Sequence, residues 1–270
     1  MDCLSQRKIH TFVTKGDNGK LLATTNYSDN NSEIIARLTV NENTFVVVNA
    51  SIEKHDSNNE SIKSVEELVG LEAYFGSGKH LREALERRDS LEVSLFTDTV
   101  RGIIQAETYL LKERGFSSPQ EYSSYWDKIY LNSCGYYSNL DKVASCWDQQ
   151  EGAKERSGHL FLRFKTYLLY GLASGGYVVI SSLKDSFHNI NVTMEVDESF
   201  LKVQGKMLRV PDQVCRNCTK YLQNLIGIKA LELPKKELAQ VLGKGQGCIH
   251  LVDLVDEGVA TLKMHLRESC

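Results

Sequence analysis

The sequence predicts an α+β protein made of two tandem copies of one unit, each an antiparallel β-meander followed by three helices, with a helical connector between them. Three observations predict this: the two halves align with each other, apolar residues alternate early in each half, and the spacing turns helical later in each half.

A shift of 156 residues lays residues 7–56 on 163–212 without a gap. Arg7 then falls on Arg163, Gly19 on Gly175, Asp29 on Asp185, Ile34 on Ile190, Val40 on Val196, Glu42 on Glu198, Val47 on Val203 and Asp56 on Asp212. In each half an apolar stretch (Ile9 to Val13, Phe164 to Tyr170) leads through a Gly turn to a second (Leu21 to Thr25, Tyr177 to Ser181). Two alternating runs follow, Ile34-Ala36-Leu38-Val40 beside Ile190-Val192-Met194-Val196, then Phe45 to Ile52 beside Phe200 to Leu208. Period-two alternation marks strands with one covered face, and the turns Asn41-Glu42-Asn43 and Asp197-Glu198-Ser199 mark a meander of about four strands per copy.

The helical part repeats as well. Leu68-Val69-Gly70-Leu71 matches Leu225-Ile226-Gly227-Ile228, and Leu81 with Leu85 matches Leu238 with Leu242. Gly227 and Gly243 stand where helix C-caps belong, and Pro234 where a first turn tolerates it. A long last helix carries the stripe Val252, Val255, Val259, Leu262, Leu266, mirrored by Phe96, Thr99, Ile103, Ala106, Leu110, and such steps of three and four give one buried face. The expected organisation is a first copy over residues 1–115, a connector over 116–160 and a second copy over 161–270. The connector opens with Ser118-Pro119-Gln120-Glu121, a capping-box pattern, and holds Trp126, Trp147 and five of the 12 tyrosines, read as packing aromatics.

Composition narrows the function. A net charge of -3 and the lack of a Lys/Arg stripe interleaved with aromatics leave little attraction for phosphate backbones, so nucleic acid is not an expected partner. Neither a leader segment nor a membrane span is signalled. Seven cysteines, an odd number in a chain too long to need disulfides, suit a reducing compartment, and the expected location is cytoplasmic. Gly76-Ser77-Gly78-Lys79 fails as a phosphate loop, because Ala73 stands where its first Gly belongs and His80 where its Ser/Thr does.

The chemistry gathers in the second half. Cys215-x-x-Cys218 followed by Cys248-x-His250 offers three thiolates and an imidazole, enough for a tetrahedral zinc site or part of an iron-sulfur site. Gly243-x-Gly245-x-Gly247 lets the backbone bend before Cys248. The first half aligns Asn58 and Ser61 with the first pair, Glu92 with Cys248 and Ser94 with His250, so all four candidate ligands are absent there together. Two other readings stand beside the metal: Cys248 as a small core residue continuing the helix stripe, and a redox pair whose thiols a helix dipole acidifies. Cys3, Cys134, Cys146 and Cys270 show no ligand spacing and read as bystanders.

The order of strands, Cys-bearing turn, short helix and His-opened long helix resembles NifU/IscU-type iron-sulfur scaffold domains over residues 163 to 268. Ile190 to Asp197 looks like their central strand and turn, Cys215 or Cys218 like their Cys at the strand-to-helix turn, and Ile249-His250-Leu251 like their Ile-His-Cys. Leu251 and Ser186 stand where those domains have Cys, and His188 roughly where they have Asp. Gly247-Cys248-Ile249-His250-Leu251, with Leu225-Ile226-Gly227 upstream, also resembles a bacterial domain family of unknown function marked by Gly-Cys-Thr-His-Leu. The resemblance implies a protein that holds, delivers or senses zinc or an iron-sulfur cluster, with another protein as donor or acceptor, rather than an enzyme. The alternatives are a metal-free module that binds a ligand or protein in the cleft between the copies, and a thiol enzyme acting through Cys215.

Overall fold

The computed structural model describes residues 2–56, 59–144 and 156–268. Among them lie nine strands and six α-helices, an α+β protein. The first series comprises β1 (Asp2–Lys15), β2 (Lys20–Ser28), β3 (Ser32–Asn41), β4 (Val47–Asp56) and β5 (Asn59–Ser64), then α1 (Gly78–Ala84) and α2 (Ser90–Ala106). After α3 (Pro119–Ile129) comes the second series, β6 (His159–Gly171), β7 (Tyr177–Asp185), β8 (Asn189–Val196) and β9 (Phe200–Arg209). It continues through α4 (Gln213–Arg216), a 3-10 stretch (Asn217–Leu225), α5 (Lys235–Val241) and α6 (Ile249–Glu268). The helix entry expected after the strands is thus split into the short α4 and a longer 3-10 stretch.

The expectation of about four strands in the first half needs correction, because β5 makes a fifth. Its residues Asn-Glu-Ser-Ile-Lys-Ser show no apolar alternation, and Ile62 is exposed, so backbone pairing with β4 alone defines the strand. Phe45, expected to open the fourth strand, instead occupies the left-handed region (φ 56°) with its ring fully buried.

The chain forms two compact units. The N-terminal unit holds residues 8–56, 59–122 and 156–164, with strand order β5-β4-β3-β2-β1 and then the first part of β6. β1 pairs with β2, β2 with β3, β3 with β4 and β4 with β5, each antiparallel. Asp89 caps α2 by accepting the Glu92 N–H at 2.9 Å, and Phe96, Thr99, Ile103 and Ala106 face inward with no exposure. Gly102 lets α2 sit on the strands, since a Cβ there would stand 2.7 Å from Thr11 Cγ2. Glu107 is fully buried and accepts from Tyr74 Oη at 2.7 Å, Tyr122 Oη at 3.1 Å and Arg114 Nε at 2.8 Å.

The C-terminal unit holds residues 2–7, 123–144 and 165–268, with strand order β1-β6-β7-β8-β9, of which β1 and β6 contribute their near parts. The pairs β7 with β8 and β8 with β9 are antiparallel. The expected stripe of α6 is inside: Val252, Val255, Val259 and Leu262 are buried. Gly258 plays the part of Gly102, because a Cβ there would lie 2.6 Å from Met194 Cε and Ser181 Oγ. Beneath the helix, Lys165 Nζ meets Glu257 Oε1 at 2.7 Å and Arg7 donates to Thr261 Oγ1 at 3.0 Å. Arg7, a residue that the alignment matched, is therefore a buried helix anchor.

Several aligned residues share local geometry. Asp29 Oδ1 accepts the Asn31 and Ser32 N–H groups at 2.9 and 2.8 Å, and Asp185 Oδ1 accepts those of Phe187 and His188 at 2.8 and 2.7 Å, each closing the turn between its second and third strands. Gly70 and Gly227 have φ of 87° and 82°, and each donates its N–H to a strand carbonyl at 2.9 Å, Val47 and Phe200 respectively.

α3 opens as expected, with Ser118 Oγ accepting the Glu121 N–H at 3.1 Å, but the Glu121 carboxylate reaches back to Ser117 N (2.7 Å) rather than to Ser118. Trp126 stacks on Tyr130 at 4.6 Å, and Trp126 and Tyr136 are buried, consistent with packing. Trp147, Cys146, Cys270 and Asn58 lie outside the described residues. Among the described residues, no helix is long and apolar enough to cross a membrane.

The Glu107 network yields a test of the N-terminal unit. Replacing Glu107 by Ala leaves a half-buried guanidinium and two buried phenols without their shared acceptor and is expected to cost about 2–4 kcal/mol. Urea denaturation measures it; a loss below about 1 kcal/mol would show that the network is not needed.

Candidate thiol and histidine site

The site begins where β9 ends. Asp212 caps α4, its Oδ1 accepting the Val214 N–H at 2.9 Å while Oδ2 accepts the Ala144 N–H at 3.0 Å. One turn brings Cys215 to a partly covered position and the next buries Cys218, 3% exposed. The Cys218 thiol faces the Val214 carbonyl at 3.7 Å and the Gln246 carbonyl at 3.6 Å, so it reaches across to the segment that enters α6.

That segment is the glycine run. Gly243 ends α5 in the left-handed conformation (φ 91°), and the backbone turns through residues 244–246 into Cys248 and α6. Gly247 packs against the Leu242 carbonyl so closely that a Cβ has no room. The turn sets Cys248 Sγ 3.8 Å from His250 Nδ1. The His250 ring lies 4.0 Å from that of His188, and His188 Nδ1 lies 3.1 Å from the buried Asp185 carboxylate. Cys215 and Cys218 are thus drawn toward Cys248 and His250, and His188 joins them from the β7–β8 turn. No three of these ligand atoms lie within 4.8 Å of one another. Among the described residues, the trio that does is Glu53, His55 and Glu60, where His55 Nε2 is 2.6 Å from Glu53 and Arg37 already pairs with Glu53.

One residue read from sequence as a bystander is at the site. Residues 132–139 run against the glycine segment, with Gly135 N–H donating to the Gly247 carbonyl at 2.6 Å and Ser138 Oγ to the Gly245 carbonyl at 2.7 Å. A Cβ on Gly135 would stand 2.6 Å from Cys218 Sγ. Cys134 is therefore carried in by a loop far upstream, which no short-range ligand spacing signals.

The electrostatics correct the redox reading. A helix start was expected to acidify the Cys215-x-x-Cys218 pair, but α4 has only four residues and burial dominates. Burial pushes the Cys215 thiol up to about 12 and the Cys218 thiol up to about 11, with Cys134 adding to each. Burial raises Cys248 as well, with Cys218, Cys134 and Cys215 adding. Free thiolate nucleophiles at neutral pH are not what this environment favours.

In the N-terminal unit Glu92, which the sequence aligns with Cys248, pairs with Lys54 at 2.6 Å and Arg88 at 3.2 Å. Ser61 sits in β5, a strand, so its alignment with the helical Cys218 does not hold.

Beside the site, a cleft of about 810 Å³ is lined by Lys206, Arg216 and Lys220 together with Asn, Gln and Thr side chains of β8, β9 and residues 216–223, with no carboxylate among the described lining residues.

Residues 176–264 match a protein family described as "Protein of unknown function (DUF2889)". The match takes in Cys215, Cys218, Cys248, His250 and His188 and leaves out Cys134. It supports the resemblance of the C-terminal half to a domain family of unknown function, whereas the likeness to iron-sulfur scaffold domains rests on residue pattern alone. No curated protein and no solved structure matches the chain.

The raised thiol values predict a pH dependence for metal-free protein. Unfolded thiols ionise near pH ~8.5 while the folded ones stay protonated, so above that pH the unfolded state binds fewer protons and stability falls until the folded values near 11 and 12 are reached. The urea midpoint is expected to drop between pH 8 and 10.5, and to drop less in a Cys215→Ser/Cys218→Ser variant. Equal drops would remove these thiols as the cause.

Proposed function

We propose that the C-terminal half binds zinc or an iron-sulfur species through Cys215, Cys218, Cys248 and His250, and that the protein holds or transfers this metal in the cytoplasm instead of turning over a substrate. The observation that carries the reading is the meeting of two separate chain segments, Cys218 against the Gln246 carbonyl at 3.6 Å, each bearing soft ligands. Thiols held protonated chiefly by burial also fit: a metal would replace their protons, and binding would release them. Zinc–sulfur bonds of about 2.3 Å require the side chains to close in from their present spacing, and χ1 rotation moves a Cys sulfur by roughly 3 Å. His188, held by Asp185, has the carboxylate-backed arrangement that orients metal-binding histidines.

The same reading includes a tandem origin. The shared turn geometry of Asp29 with Asp185 and Gly70 with Gly227 supports two copies of a NifU/IscU-like unit, the first having exchanged thiols for the ion pairs of Glu92. Elemental analysis of full-length protein purified without oxygen is expected to find about one equivalent of zinc, or iron with sulfide, per chain. Less than about half an equivalent, with all these thiols titrating as free, would sink the reading.

A second reading, a metal-free binding module, is favoured by the cleft with its three cations. It predicts that pyrophosphate binds with Kd weakened about tenfold by Lys206→Ala and Lys220→Ala together, measured by calorimetry, and that Cys248→Ser has no effect on it. No heat of binding would dispose of this reading.

A further inference from the structure

We infer that Cys134 is a fourth thiolate of the proposed metal site, so that one ion ties the loop of residues 132–139 to the entrances of α4 and α6. The inference rests on the metal reading above.

Cys134 is set by backbone. Asn132 adopts the left-handed region (φ 62°), bending the chain two residues before Cys134, and Ser138 N–H closes the loop onto the Cys134 carbonyl at 2.9 Å. The next residue, Gly135, is the one whose added Cβ would meet Cys218 Sγ, which places the Cys134 main chain beside that sulfur. Around it, Gly135 N–H to Gly247 O at 2.6 Å, Ser138 Oγ to Gly245 O at 2.7 Å and Asn139 Nδ2 to Gln246 Oε1 at 3.1 Å lock the loop to the segment leading into Cys248. Gly245 itself packs against the Asn132 carbonyl too closely for any side chain. Cysteines from three separate segments are therefore brought to one locality by these main-chain contacts.

A four-sulfur donor set is the soft, closed type that suits a structural zinc or an iron-sulfur cluster. Binding would exchange each thiol S–H bond for a metal–sulfur bond and release the proton to solvent, with no change of oxidation state for zinc. Cys134 thus takes the fourth position that the reading above gave to His250, and His250 and His188 become neighbours of the sulfurs.

The test is cysteine alkylation of the full chain with iodoacetamide, read residue by residue by mass spectrometry, metal-free and with one equivalent of zinc. Cys3, exposed on β1, is the internal control. Zinc is expected to slow labelling of Cys134, Cys215 and Cys248 by about tenfold or more and leave Cys3 unchanged. Protection of Cys215 and Cys248 without Cys134 would overturn this inference and leave the metal reading standing; protection of none, with no zinc retained, would remove both. A Cys134→Ser variant loaded with cobalt(II) gives a second readout, since loss of one sulfur in four lowers the sulfur-to-cobalt charge-transfer band per bound ion by about a quarter. An unchanged band per bound ion overturns the inference.

Discussion

The hydrogen bond from the Gly135 N–H to the Gly247 carbonyl, 2.6 Å long, is the contact on which the arrangement of the site depends. It joins two loops at positions where neither can carry a side chain: Gly135 is pressed against Cys218, and Gly247 against the Leu242 carbonyl. Because both partners are main-chain groups, the spacing between the loops is fixed by the backbone and not by rotamers. The cysteines at 134 and 248 inherit their separation from it.

Below this contact the fold supplies rigid supports. α6 lies on β7 and β8 through Gly258, and its apolar stripe fixes the rotation of the helix, hence the direction from which Cys248 and His250 enter. The 3-10 stretch after α4 is seated by Leu222 against Gly205 of β9, another place without room for a Cβ. Asp185 holds the turn that presents His188, its carboxylate serving the backbone and the imidazole at once. Each of these side chains is therefore mounted on an element whose position is decided by packing elsewhere.

Much of this was legible in the sequence for simple reasons. Steps of three and four residues expose a helix stripe, and Val252 through Leu262 are buried accordingly. The matched Asp29 and Asp185, for which the sequence suggested no role, do the same backbone work in their two turns. β5 was not legible, since its polar residues carry no alternation and only main-chain pairing defines it. Cys134 was not legible either: ligand spacing is a local pattern, and a residue delivered by a distant loop leaves no such trace. The expectation of acidified thiols failed because a dipole argument counts helix direction but not helix length or burial.

The ion pairs of Glu92 with Lys54 and Arg88 give the two long helices entrances of different character. Lys54 is more than a third exposed, so its pairing with Glu92 weakens as dissolved salt accumulates, whereas uncharged, covered sulfur is blind to ionic strength. Rising salt thus loosens the entrance of α2 and spares that of α6.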